Sequence, residues 1–135
     1  MGPEQTAARI FDAFSRGDLA SIQELVSPDI ALHMPGRNRL SGHYRGLGAV
    51  LAQVARASSF FDPASVALLG VEVHEGLIVA RVEVAAGFLA SGRGSVRLSQ
   101  RMSMDTDGRI AECWVEPDDI AEWDELVGIL TDTDR

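Results

Sequence analysis

Between Phe60 and Pro63 the hydrophobic pattern of this 135-residue chain changes its period. Upstream, apolar residues recur every three or four positions, as on one face of an α-helix. Downstream they alternate with polar ones, as they do along strands. A chain that is helical first and alternating afterwards has few architectures open to it. Its helices must gather on one face of a sheet whose strands follow one another, which is the α+β arrangement.

The helical part divides into three. Gln5 to Arg16 carries Ala8, Ile10, Phe11 and Phe14 at helical spacing. Gly17 suits its C-terminal cap and Asp18 the N-cap of a second helix, Leu19 to Val26. Ser27-Pro28-Asp29 stops that helix, because the residue before proline is pushed out of helical geometry. Ile30 to Met34 reads as one short strand. A third helix, Leu47 to Ala57, places Val50, Leu51 and Val54 on one face. Beyond Pro63 the strands are Ser65 to His74, Leu77 to Leu89, Ser95 to Asp105 and Arg109 to Glu116, a meander of four antiparallel strands. The turns are Glu75-Gly76, Ser91-Gly92-Arg93-Gly94 and the hairpin signal Asp107-Gly108. Pro117 ends the meander, and Asp118 or Asp119 caps a last helix that runs to about Leu130. The expectation is one domain spanning 1–135.

Between the first strand and the third helix lies Pro35-Gly-Arg-Asn-Arg-Leu-Ser-Gly-His-Tyr-Arg-Gly46, a polar loop punctuated by glycine. Loops that concentrate polar groups between rigid elements are where sites tend to be built. His43 and Tyr44 fall in it, either closing the mouth of a pocket or simply exposed. Its glycines lack the spacing of a phosphate loop, so no nucleotide site is expected.

Composition narrows the function. A net charge of −8 argues against nucleic acid and against an anionic membrane surface. No apolar run has the length of a membrane span, and the N-terminus has no leader pattern, so a cytoplasmic location is expected. All 12 basic residues are arginine, which excludes Schiff-base catalysis by lysine. The three histidines are far apart and Cys113 is the only cysteine, so neither a metal nor any cofactor is expected. Cys113 reads as a buried small hydrophobe. His74 reads as a surface residue, and Trp123 as packing on the sheet edge or on a partner.

Taken with the order of elements, Phe14-Ser-Arg-Gly-Asp18, His33-Met-Pro-Gly36, Ser41-Gly-His-Tyr-Arg-Gly46 and Asp107-Gly-Arg-Ile110, with Trp114 and Asp118 behind, the chain resembles the SnoaL-like branch of the nuclear transport factor 2-like superfamily. The resemblance implies a cone: a curved antiparallel sheet, three helices packed on its concave side and a short C-terminal helix. It also implies a pocket inside the cone and a homodimer through the outer sheet face. The fold hosts isomerases, cyclases, hydrolases and binders, so it does not choose an activity.

Three chemistries of the family can be laid on these residues. The ketosteroid isomerase pattern puts His33 at the general base, with Ile10 and Gln100 at the two oxyanion positions. Gln100 keeps one donor there. The limonene epoxide hydrolase pattern matches Arg81-Val-Glu83 and Trp114-Val-Glu116, with glutamate replacing aspartate twice. The polyketide cyclase pattern offers Glu116 or Asp118 as the acid–base group, although Asp118 and Asp119 also serve as simple helix caps. The expected catalytic set is therefore His33, Arg81, Glu83 and Glu116. Phe14, Tyr44, Phe60, Leu98, Gln100, Met102, Trp114 and Asp118 are expected to line the pocket around an apolar cyclic or polyketide-like molecule. The alternative is a non-catalytic binding or interaction module, with Arg81 and Glu83 turned outwards as an ion pair. Which face of the Leu77–Leu89 strand points into the cone decides between them.

Overall fold

The computed structural model describes residues 2–85 and 94–128. Two helices open the chain, α1 (Pro3–Ser15) and α2 (Leu19–Leu25), followed by strands β1 (Val26–Met34) and β2 (Gly42–Arg45). Helix α3 (Leu47–Ala57) and a 3₁₀ turn (Pro63–Ser65) lead into β3 (Val66–His74), β4 (Leu77–Ala85), β5 (Ser95–Met104) and β6 (Ile110–Pro117). Helix α4 (Ile120–Val127) closes the described chain. Residues 86–93, which hold the expected end of the fourth strand and most of its turn, lie outside the described residues, as does Leu130.

The six strands form one sheet in the order β2-β1-β6-β5-β4-β3. Strands β3 to β6 make the expected antiparallel meander. β1, however, runs parallel to β6, so the sheet is mixed rather than wholly antiparallel. No local pattern announces that pairing, because its partners lie about eighty positions apart in the chain.

Two local expectations are corrected. β1 begins at Val26 rather than Ile30, so the Ser27-Pro28-Asp29 signal falls inside the strand. It is absorbed by a register shift against β6: Val26 faces Ile110 and the next pair is Ala31 with Glu112. A proline, having no N–H to give a ladder, is tolerated at such a bulge. The second correction is β2. Gly42-His-Tyr-Arg45, read as loop, is an edge strand antiparallel to β1. Gly42 (φ 143°) and Gly46 (φ 93°) bracket it with backbone that only glycine adopts freely.

Caps behave as expected. Asp18 accepts from the Ser21 amide and hydroxyl, and these hydrogen bonds hold its carboxyl below the usual range. Asp119, rather than Asp118, caps α4 by accepting from Ala121 and Glu122. The polar loop is locked from within. Asn38 is 1% exposed; its amide donates to Asp124 on α4 (2.7 Å), and its carbonyl oxygen accepts from the Leu40 amide (2.9 Å). The same Asp124 oxygen also accepts from the Arg37 amide at 3.0 Å. Thus α4 is tied to the loop before β2.

Gly36 (φ 95°) makes this junction possible, since a Cβ there would collide with the Asp124 carboxylate and the Asn38 amide. Gly46 has similar strain but open space around it. Gly36→Ala is therefore expected to destabilise by about 1–3 kcal/mol more than Gly46→Ala. Denaturant unfolding measures the difference, and equal losses would remove the lock from the account.

Candidate functional site: an apolar cavity inside the cone

Alternation along each strand sorts the side chains onto two faces. On β4, Ile78, Ala80, Val82 and Val84 are buried between sheet and helices, while Val79, Arg81 and Glu83 point the other way. The ladder carries this across the sheet: Val82 faces Leu98, and Arg81 faces Ser99. On β6, Cys113 and Val115 go inwards and Trp114 and Glu116 outwards. β1 sends Ile30, Leu32 and Met34 in and His33 out.

Between the inner face and the helices lies a cavity of about 130 Å³. Its walls are Phe11 and Phe14 of α1, Val50 and Val54 of α3, Val82 and Leu98 of the sheet, and other aliphatic and aromatic side chains. Phe14 and Phe61 pack ring to ring at 6.3 Å, and Phe61 meets Trp123 of α4 at the same distance. Among the described lining residues there is no carboxylate, histidine or arginine. The polar atoms that remain belong to Gln53, Gln100, Cys113 and Trp123.

Each of these is placed by its element. Gln53 on α3 donates to the Leu40 carbonyl at 3.0 Å, so it is spent on the loop. Gln100 on β5 accepts from the Cys113 thiol at 3.6 Å, and its amide hydrogens have no described acceptor. The Trp123 ring is 2% exposed, and its N–H has no described acceptor either. Burial pushes the Cys113 thiol up to about 12, so it stays protonated and inert at neutral pH.

The site expected from the sequence is thus divided between two faces. Phe14, Leu98, Gln100 and Met102 line the cavity, as does Ile10. Phe60 packs against the core, but Phe61 takes the wall position. Tyr44 packs on the core with its hydroxyl donated to the Leu40 and Ser41 carbonyls, outside the cavity wall. Trp114, expected as a wall, stands on the outer face, because its neighbours Cys113 and Val115 take the inward positions. Asp118, also expected in the pocket, is paired on the outer face with Arg81 through two contacts of 2.8 Å, which raise the Arg81 pKa further. Glu83 accepts from Arg97 at 2.8 Å, and Glu116 from Arg101. His33 contacts Glu112 and His43. All four expected catalytic residues therefore stand outside the cone, and they do not converge on its cavity.

Trp123, expected on the sheet edge or a partner, is a wall residue outside the expected set, as are Phe11, Val50, Val54 and Val82. The signal for Trp123 is the apolar spacing of Ile120, Trp123 and Val127 on one face of α4.

An open, mixed, curved sheet holding helices on one face is the α+β fold of solved cystatin-like and nuclear transport factor 2-like proteins. The chain belongs to the SnoaL-like domain family, whose model matches residues 7–113. Similar solved structures include Bal32a from a soil-derived mobile gene cassette, with a TM-score of 0.80 and 24% identity over 92% of this chain and 95% of that one. A protein of unknown function with a cystatin-like fold from Xanthomonas campestris gives 0.77 at 20% identity, over 95% and 99%. IdmH from Streptomyces antibioticus, a proposed polyketide cyclase, gives 0.69 at 23% identity, over 93% and 99%. These likenesses show the fold. Uncharacterised proteins of Mycobacterium tuberculosis and Mycobacterium bovis are 43% identical over 54 residues, which is 40% of this chain and 41% of their own length. No described helix is long and apolar enough to cross a membrane.

Two outcomes follow from the division of faces. Cys113 in the native protein should react with iodoacetamide on the order of a thousandfold more slowly than in denaturant, since a shift from 9.0 to about 12 lowers the thiolate fraction by that factor. A native thiol that alkylates at the unfolded rate would place it outside the core. Arg81→Ala and Glu83→Gln remove half-exposed ion pairs, so each should change stability by no more than about 1 kcal/mol in denaturant unfolding. A larger loss would mean that these pairs are buried.

Proposed function

We propose that this protein binds an apolar small molecule of one or two rings inside the cone, and that the molecule carries an oxygen able to accept a hydrogen bond. One observation carries the reading: a nearly all-apolar wall that includes Gln100, whose amide has no described acceptor. Apolar cavities of this order of size stay dry and take up ring compounds. A few placed polar groups in such a cavity fix orientation and specificity. A carbonyl or ether oxygen suits Gln100, because a hydrogen bond accepted from its amide contributes about 1 kcal/mol.

Acid–base catalysis inside the cone, as in a cyclase or isomerase, would need an imidazole or carboxylate on the wall. No described lining residue supplies one. The proposed cyclase activity of a neighbour such as IdmH therefore finds no support from this cavity. Binding is the function favoured here.

Acetophenone and isopropylbenzene, nearly equal in shape, test the reading by titration calorimetry. Acetophenone is expected to bind about tenfold more tightly, the worth of one neutral hydrogen bond. Gln100→Leu should erase that preference while keeping the weaker binding. Val54→Phe, which fills the cavity from a partly exposed helix face, should abolish both. Equal affinities in the native protein would remove the oxygen from the proposal, and undiminished binding by Val54→Phe would remove the cavity.

A further inference from the structure

The amide of Gln53 is held in one orientation. The residue is 4% exposed and contributes to the cavity wall from α3. Its amide nitrogen donates to the Leu40 carbonyl at 3.0 Å and lies 3.6 Å from the Met34 sulfur. Both partners only accept, so the nitrogen must be the atom turned towards them; the reverse orientation would set oxygen against oxygen. The other end of the amide, Oε1, accepts no described hydrogen bond. Among the described residues, Trp123 Nε1 is the side-chain nitrogen or oxygen that is both sealed in packing and unpartnered. Gln53 Oε1, unpartnered too, is therefore not sealed.

Register places this acceptor relative to Gln100. Leu32 faces Cys113 and His33 faces Trp114, so Met34, the next residue of β1, comes level with Val115. Gln100 of β5 faces Val115 from the other side. Met34, Val115 and Gln100 thus form one row across three strands, and all three line the cavity. Neighbouring strands stand about 4.8 Å apart, which separates β1 from β5 by about 10 Å. The Gln53 amide sits at the β1 end of the row, beside Met34, and Gln100 stands at the β5 end. One end therefore has an acceptor without a described donor, and the other a donor without a described acceptor. Apolar Val115 lies between them.

We infer that the ligand spans this row as a flat ring over Val115, with a hydroxyl donating to Gln53 Oε1 and, at its opposite end, the oxygen that accepts from Gln100. The inference rests on the reading of the cavity as a site for an apolar molecule with an acceptor oxygen. It adds a donor to that molecule, the donor's position, and the residue that selects it. A hydroxyl and a carbonyl at opposite corners of a benzene ring suit a span of about 10 Å better than the same groups closer together. The hydroxyl binds in its neutral form, because no described lining residue carries a charge that would offset an oxyanion in an apolar site.

4-Hydroxyacetophenone and 3-hydroxyacetophenone carry the same groups and differ only in where the hydroxyl points. Titration calorimetry on the native protein should find the 4-isomer bound roughly five- to tenfold more tightly, as one neutral hydrogen bond allows. Gln53→Met keeps the side-chain length, and the Leu40 carbonyl keeps the Tyr44 hydroxyl at 3.0 Å, so the loop retains a donor. That variant should bring the two isomers to equal affinity. Gln100→Leu should weaken both isomers together and leave their ratio unchanged. Raising the pH through the phenol's own pKa should weaken the 4-isomer, since its anion has no proton to donate; affinity that holds would overturn the inference. Equal affinities in the native protein, or a ratio that survives Gln53→Met, while acetophenone still binds, would remove Gln53 and leave the cavity reading standing. Failure of acetophenone and both isomers to bind would remove the cavity reading and this inference with it.

Discussion

Successive side chains of a strand point to opposite sides of the sheet, and only one side of this sheet is covered by helices. That constraint governs everything else in the molecule. Once Ile78, Ala80, Val82 and Val84 are buried, Arg81 and Glu83 have no route into the cone without a bulge, and β4 has a continuous ladder with β5. The same parity sends Cys113 and Val115 in and Trp114 and Glu116 out. An apolar interior and a charged exterior are thus two readings of one pattern.

One consequence is a separation of the apolar cavity from the groups able to carry protons. The cavity offers dispersion contacts and, at Trp123, a buried N–H with no described acceptor. The outer face offers carboxylates, histidines and arginines already matched to one another. Half-exposed pairs of this kind contribute little stability each, about 0–1 kcal/mol. What joins the two faces is the loop between β1 and β2. Its Asn38–Asp124 lock holds α4, and with it Trp123, over the cavity, while its flanking residues Pro35 and His43 border a cleft on the outer face.

Much of this is legible in the chain itself. The three helices, the meander and the Glu75-Gly76 turn follow from period and turn chemistry, and Glu75 indeed carries a positive φ of 51°. The start of β1 was hidden by Pro28, which normally ends elements and here sits in a bulge. β2 was hidden because four residues between glycines give too little alternation to count. The parallel β1–β6 pairing depends on tertiary context, which no short window contains. For the site, the face of β4 could be read: Ile78, Ala80, Val82 and Val84 form the apolar set, and Arg81 belongs to the other. Lining the cavity with Leu98 and Gln100 already excluded Trp114, since Arg101, not Gln100, is its cross-strand partner. Motif likeness to enzymes of the fold pulled Glu83, Trp114 and Glu116 inwards against that parity. The packing of Trp123 over the cavity required knowing where α4 docks.

The central claim is that the cone encloses a dry apolar cavity while its polar residues stand outside. A crystal structure determined under xenon pressure tests it most directly, because xenon enters apolar voids and leaves hydrated ones to water. The account predicts xenon density bounded by Phe14, Val54, Leu98 and Trp123, with none in the cleft beside His43. Ordered water in place of xenon, hydrogen-bonded to Arg81 or Glu83 turned into the cone, would contradict it.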